Sequence, residues 1–354
     1  MYEEESHISQ GVLCVLPCRY CTLCLVAICW ARLHLSSLLL AIMRLVNSLP
    51  FVAVASNATP MLSARASSLQ QLFNFTTFVD IENSYLRSET SLLLTTFTNG
   101  SLFEINPLAE SPEAKLIAQL PGATALTGIA EIGPDKFSVT GGVRGNLMYT
   151  DETVYVVDFS KKNCTSGGPT ISIAATLPDA VFLNGAASLP AHPETVMLAD
   201  SNLGALFRVN TSSGAVDKIA TDPAFEFPAN ATTAIGINGL KIVDDYLYFT
   251  NTAQAVFGRV RIASTGEIVS DVETLFSSPG VSWDDLLVAA DGTAYICQSP
   301  GAILRVTPDG LTDYPVNNTQ LLGPTSIQLP QDGNLYVTTR GATPLSGQVF
   351  TVQL

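Results

Sequence analysis

Six times between residues 82 and 354 the chain repeats one phrase, and each copy opens on a polar residue. The openings read Glu82-Asn83, Thr127-Gly128, Asn184-Gly185, Asn238-Gly239, Asp284-Asp285 and Thr325-Ser326. Each is followed by a short apolar strand, a turn, a second strand ending on a polar residue, and a third strand. Residues 238–262 are the cleanest copy: NGLKIV, DD, YLYFTN, then VFGRVRI. Residues 284–306 repeat it as DDLLVAA, DG, TAYICQ and AILRV. The openings lie 45, 57, 54, 46 and 41 residues apart, at or just above the period of propeller blades. A propeller turns the start of each first strand toward a central channel. The six openings therefore predict an all-β, six-bladed β-propeller with one polar ring at a channel mouth.

Closure of that ring can be read from the two ends of the domain. The last repeat supplies only three strands, Thr325 to Leu329, Leu335 to Thr339 and Gln348 to Leu354. An unpaired edge would remain, and soluble β-proteins cover such edges. Upstream lies an orphan β-rich run, Leu72 to Val79. The expectation is that this N-terminal strand pairs with the last blade, so that the propeller domain occupies residues 61–354.

Residues 1–60 read as a separate leader. Five of the seven cysteines (Cys14, Cys18, Cys21, Cys24 and Cys29) sit there in an apolar run. No further His or Cys cluster completes a tetrahedral metal set with them. Met43-Arg44, the apolar stretch Leu45 to Val54 and the small residues Ala53-Val54-Ala55 form a secretory pattern. A membrane anchor over Gly11 to Ile42 is the alternative. Seven Asn-x-Ser/Thr sequons fit a secreted or lumenal glycoprotein: Asn57, Asn74, Asn99, Asn163, Asn210, Asn230 and Asn317. Cys164 and Cys297 fall in non-adjacent repeats, so no disulfide between them is expected.

Composition narrows the function. The whole chain carries a formal net charge of −14, with no basic cluster. Nucleic acid and anionic membranes are therefore not expected partners. There is no Gly-rich phosphate loop and no His-x-x-x-His pair. Past the leader the one histidine is His192, in a loop predicted at the end opposite the ring, which leaves a Ser-His-Asp mechanism without a base. The ring itself offers two carboxylates (Glu82, Asp284), two carboxamides (Asn184, Asn238) and two hydroxyls (Thr127, Thr325). Such all-oxygen donors suit Ca²⁺ or another divalent cation. The second strands return to the same face, so Asp200, Asn251, Gln298 and Arg340 are expected to border the mouth. Trp283, Phe182 and Phe257 are expected to give it apolar walls.

From about residue 70 onward the chain resembles the superfamily of six-bladed propellers that includes gluconolactonase and senescence marker protein. That resemblance implies a divalent metal held by Glu82, Asn184, Asn238 and Asp284. The family's Glu-Gly-Pro opening is replaced here by Glu82-Asn83-Ser84. The chain is also similar to a fungal secreted branch of the superfamily, through Phe182-Leu183-Asn184-Gly185, Leu198-Ala199-Asp200-Ser201 and Gly236-Ile237-Asn238-Gly239. The string Tyr246-Leu247-Tyr248-Phe249-Thr250-Asn251-Thr252 carries the same likeness. That branch implies a hetero-Diels–Alderase of tropolone sesquiterpenoid biosynthesis. Such an enzyme joins a tropolone quinone methide to a humulene-type alkene without any cofactor. On that reading Asn184, Asn238, Asp284 and Trp283 are the catalytic candidates. Phe182, Asp200, Asn251, Phe257, Thr127, Thr325 and Arg340 would bind the small apolar substrates. A metal-dependent lactone hydrolase and a non-catalytic small-molecule-binding propeller are the alternatives.

Overall fold

A computed structural model describes residues 68–162, 167–341 and 346–354. The leader, with Asn57, lies outside the described residues, as do Asn163 and Cys164. Among the described residues every regular element is a strand, and the strands form six sheets of four. Blade one holds β2 (Ile81–Ser88), β3 (Ser91–Thr96), β4 (Ser101–Ile105) and β5 (Lys115–Gln119). Blade two holds β6 (Ala125–Gly133), β7 (Lys136–Arg144), β8 (Tyr149–Lys162) and β9 (Pro169–Thr176). Blade three is β10 (Leu183–Leu189), β11 (His192–Asp200), β12 (Ala205–Asn210) and β13 (Val216–Thr221). Blade four is β14 (Ile237–Val243), β15 (Tyr246–Asn251), β16 (Val256–Arg261) and β17 (Glu273–Ser277). Blade five is β18 (Ser282–Val288), β19 (Ala294–Ser299), β20 (Ala302–Val306) and β21 (Thr312–Asn317).

Blade six is assembled from both ends of the domain. Its order is β1 (Leu69–Asn74), β24 (Gln348–Val352), β23 (Leu335–Thr339) and β22 (Pro324–Gln328). β1 runs antiparallel to β24, from Leu69 opposite Val352 to Asn74 opposite Gln348. The closing strand thus starts three residues before the run expected at 72–79, and residues 75–80 turn away to enter blade one. Gly347 holds that turn by donating its N–H to Val79 O at 2.7 Å and accepting from Phe75 N at 3.1 Å.

Local sequence explains the blades. In β15, Tyr, Phe and Thr favour a pleated, half-buried surface, and the turn before it places Asp244 at φ +54°. The corresponding turn in blade five uses Gly292 at φ +83°, the conformation tight hairpins demand. Six core clusters lie one between each pair of neighbouring blades, and a seventh, smaller one gathers Ala125, Tyr149 and Phe182. Between blades two and three, for example, Val154 and Ala175 pack with Leu198 and Phe207. Between blades four and five, Phe257 packs with Trp283, Leu286 and Ile296.

One irregularity recurs in every blade. The ladder between first and second strands slips at the opening residues: between Ile81 and Asn83, Leu126 and Ile129, Leu183 and Ala186, Ile237 and Leu240, Trp283 and Leu286, and Pro324 and Ser326. Each slip is a bulge, which bends the strand and re-aims a side chain. Glycine after the opening has a packing cause. A Cβ on Gly185 would lie 2.2 Å from Asn238 O, and one on Gly239 2.4 Å from Asp285 Oδ1. The first strands therefore approach closely around the channel.

Candidate functional site

At the end where the first strands begin, Glu82, Asn184, Asn238, Asp284 and Arg340 line a cavity of about 110 Å³. Each of the first four stands at a bulge, on β2, β10, β14 and β18 respectively. Aromatic walls come from Phe97, Tyr149 and Phe182, and the last two stack with centroids 4.6 Å apart. The tip of the β7–β8 hairpin, Arg144 to Leu147, completes the lining.

The carboxyls are held against their ordinary ionisation. Burial, then the charge of Asp284, keeps Glu82 well above the usual carboxylate range. Burial pushes Asp284 up to about 7, opposed mainly by the Arg340 guanidinium. The poorly solvated pocket thus favours the neutral form of both acids. Arg340 Nε stands 3.7 Å from Asp80 Oδ1, and Arg144 Nη1 stands 3.3 Å from Asp80 Oδ2. Burial and the charge of Glu82 likewise raise the Tyr149 phenol.

The two carboxamides are not equivalent. Asn238 Nδ2 donates to Thr252 Oγ1 at 2.9 Å, and the same side chain bonds Asp284. Asn184 is 3% exposed, lines the cavity, and has no hydrogen-bond partner among the described residues. Its backbone is fixed from behind, because Glu152 Oε1 accepts from Leu183 N at 2.8 Å. Glu152 is itself buried with Oε2 unpartnered, and burial pushes it up to about 8. Asn184 is therefore the carboxamide left without a partner among the described residues, whereas the Asn238 side chain is engaged.

Several expected site residues serve the scaffold instead. Trp283 is fully buried between blades, stacked on Phe276 at 5.9 Å, with Nε1 donating to Gln298 Oε1 at 3.0 Å. It stands one residue before the bulge that turns Asp284 to the mouth, so the alternation of the strand sends its indole into the core. Phe257 is buried beside Tyr248 in the same cluster. Thr127 Oγ1 is 2.7 Å from Thr140 Oγ1, and Thr325 Oγ1 is 3.1 Å from Thr338 Oγ1. Both hydroxyls thus face their own second strands. Asp200 accepts four backbone N–H bonds, from Val181, Phe182, Asn202 and Leu203. Asn251 props the loop before β14 by donating to Ala224 O at 2.9 Å and Glu226 O at 2.8 Å. None of these six lines the cavity. Phe182 and Arg340 do. His192 lies at the opposite end, exposed, 3.8 Å from Glu194.

Sequence reading missed Asp80, Phe97, Arg144, Leu147 and Tyr149. The available signal was the unusually long second strand pair in blade two, where β8 runs 14 residues.

Beyond the ring the channel is filled. Lys241 Nζ contacts Asp285 Oδ1 and Oδ2 at 3.0 and 3.1 Å. Ser326 Oγ lies 3.2 Å from Asp285 Oδ2 and 2.9 Å from Asn83 Oδ1. A second cavity of about 340 Å³, lined by Ser84, Glu131, Lys241 and Leu329, opens beyond this layer. Among the described residues no three His, Cys, Asp or Glu side chains gather as a metal-holding group.

The fold and this mouth define the class: a six-bladed propeller with an acid pair and an unspent carboxamide at one channel end. No family model matches the chain. It is 27% identical over 333 residues to a protein of a Phoma species provisionally named a hetero-Diels-Alderase, covering 83% of this chain and 90% of that one. A Sarocladium schorii protein with the same provisional name is 26% identical over 288 residues, covering 70% and 71%. Among solved structures, the calcium-binding protein regucalcin of Agrobacterium tumefaciens superposes with a TM-score of 0.60. That match has 18% identity and covers 82% of this chain and 95% of regucalcin. The fold is thus that of the regucalcin-like six-bladed propellers.

Proposed function

We propose that the protein is a hetero-Diels–Alderase that joins an oxygen-bearing heterodiene to an alkene. The observation that carries this reading is the likeness, over most of the chain, to two fungal proteins of that provisional name. The mouth is compatible with it. In the cycloaddition one C–C and one C–O bond form, three π bonds become one, and no atom leaves. Such a reaction requires no nucleophile, only two partners held in a reactive pose. As the alkene bonds the terminal carbon of the heterodiene, electron density moves through the heterodiene onto its carbonyl oxygen, which then closes the C–O bond. The Asn184 amide and the Arg340 guanidinium are the donors able to meet it. Asn238, bonded to Thr252 and Asp284, keeps the neighbouring acid in place.

We further take the heterodiene to be a tropolone quinone methide and the alkene a humulene-type terpene, with no cofactor required. The polar ring would receive the tropolone oxygens, and Phe97, Tyr149 and Phe182 the hydrocarbon. Secretory-pathway residence belongs to the same proposal, supported by the exposed sequons Asn74, Asn99, Asn230 and Asn317. Asn210 is half-buried, and its Oδ1 accepts from Ser212 N and Ser213 N. The test is to mix the purified full chain with humulene and a quinone methide released in situ from its hydroxymethyl tropolone. The expected product is one stereoisomer of the dihydropyran adduct, formed faster than in buffer. Adduct formed at the buffer rate as a stereochemical mixture overturns the proposal.

A second reading has one observation in its favour. Two carboxylates next to two carboxamides form an all-oxygen set, and a cation would offset the burial and the Asp284 charge that raise Glu82. Glu82, Asn184, Asn238 and Asp284 fit a hard divalent ion such as Ca²⁺. When bound, such an ion would polarise a lactone carbonyl. Chelator-sensitive lactone hydrolysis would establish that alternative.

A further inference from the structure

At about 110 Å³ the mouth cavity is smaller than the roughly 300–1,000 Å³ of ordinary small-molecule pockets. It has room for only a few waters at about 30 Å³ each. Most of its wall cannot yield. Glu82, Asn184, Asn238 and Asp284 stand on strands paired within their sheets, and the Asn83–Ser326–Asp285–Lys241 layer fills the channel beneath them. The wall that can yield is the tip of the β7–β8 hairpin.

β7 and β8 pair as far as Arg144 opposite Tyr149, with a register slip between Gly141 and Val143. The tip is closed by Gly145 N donating to Met148 O at 3.0 Å. Leu147 there adopts φ +57°, a left-handed conformation uncommon for residues other than glycine. Its side chain lines the cavity and packs with Tyr149 and Phe182. The tip is tied down at few points. Toward blade one, Arg144 reaches Asp80 at 3.3 Å and lies 4.1 Å over Phe97. Toward blade three, Asn202 Nδ2 donates to Leu147 O at 3.3 Å, and Tyr149 N donates to Val181 O at 2.7 Å. Met148 is 61% exposed. The ion pair is part-buried, with the Arg144 side chain 35% exposed, and the long Asn202 bond adds little restraint. Segments with few buried contacts open at the low end of a protein's stability range.

We infer that residues 144–148 form a gate over the mouth and that Leu147 sets the size of the molecule admitted. Opening joins the small cavity to the solvent-facing side of the hairpin, where Val143 and Met148 offer apolar surface. On reclosing, the Leu147 side chain presses the occupant against Asn184 and Phe182. The chemical class of that occupant, an apolar alkene paired with an oxygenated partner, rests on the reading given under Proposed function.

Two measurements on the full chain separate the gate from that reading. Native-state hydrogen exchange needs no substrate. The Gly145 and Tyr149 amides are expected to exchange at least a hundredfold faster than the Val139 and Tyr155 amides of the same two strands. Equal protection along the hairpin overturns the gate. The second measurement compares kcat/KM for humulene with that for a ten-carbon terpene alkene, using the same quinone methide. Leu147→Ala is expected to change the ratio at least fivefold while leaving the melting temperature in place. An unchanged ratio overturns the size-selecting role of Leu147. If wild type turns over neither alkene, the functional reading falls, and the exchange result still decides whether the hairpin opens.

Discussion

Asp284 and Asp285 are neighbours in sequence and live in opposite electrostatic worlds. Asp285 points into the channel, 2% exposed, and meets Lys241 and Ser326. Asp284, turned the other way at the bulge, meets the mouth, shares its surroundings with Glu82, and is pushed up to about 7. One carboxylate is neutralised by a partner and helps close the channel. The other, bonded by the Asn238 side chain and facing the Arg340 charge, lines a small cavity. The comparison teaches that a single extra residue in a strand can divide two identical side chains between scaffold and site.

The largest expected effect tests the mouth. Asn184→Ala removes the unspent donor and should lower kcat by two to three orders of magnitude, about 2.7–4 kcal/mol if it acts as an oxyanion-type donor. Because the amide has no partner among the described residues, the melting temperature should move by no more than ~2 °C. Equal loss of activity and stability would place Asn184 on the scaffold side.

Next comes the channel. Asp285→Ala leaves Lys241 and Ser326 without their carboxylate. Breaking a fully buried pair costs about 3–5 kcal/mol. The Lys241 side chain is 26% exposed, so about 2–3 kcal/mol is expected in urea unfolding. A cost below about 0.5 kcal/mol would mean that the channel layer is not structural.

Acidity separates the two acids further. The folded chain holds the Asp284 proton more tightly than the unfolded chain does. Stability from this group is therefore full below the ordinary aspartate value and is lost as pH rises through about 7. Glu152, raised to about 8, acts in the same direction. Asp284→Asn should flatten the decline of melting temperature between pH 4 and 7, and a curve that keeps its slope would refute the assignment. The smallest effects are expected from exhaustive chelation and from His192→Ala. Each should leave adduct formation unchanged; loss of turnover on chelation would move the assignment to the metal-dependent reading.

The sequence exposed the fold because the repeated phrase is a local pattern: strand, turn and polar opening recur whether or not distant residues are known. Glu82, Asn184, Asn238 and Asp284 were legible for the same reason, each marking a bulge. Trp283 was misplaced because adjacency in sequence says nothing about which face of a strand a side chain takes. Thr127 and Thr325 open their repeats like the others, but a short hydroxyl finds a partner on the facing strand before it reaches the cavity. Asn251 and Asp200 sit at the right end of their strands, yet their oxygens and amides are consumed by neighbouring backbone. Arg144, Leu147 and Tyr149 belong to an extension found in one blade only, so no repeat pointed to them.

Blade six sets a timetable for biogenesis. Its outer strand, β1, leaves the ribosome early, and its partner β24 starts 274 residues after β1 ends. At about 5–20 residues per second the wait is roughly 14–55 s. Throughout it, β1 is a free edge and the earlier blades form an arc whose two end faces are uncovered. Closure of the ring therefore waits until β24 has been made, and the nascent arc is the species most exposed to chaperones and to wrong pairing with a second chain.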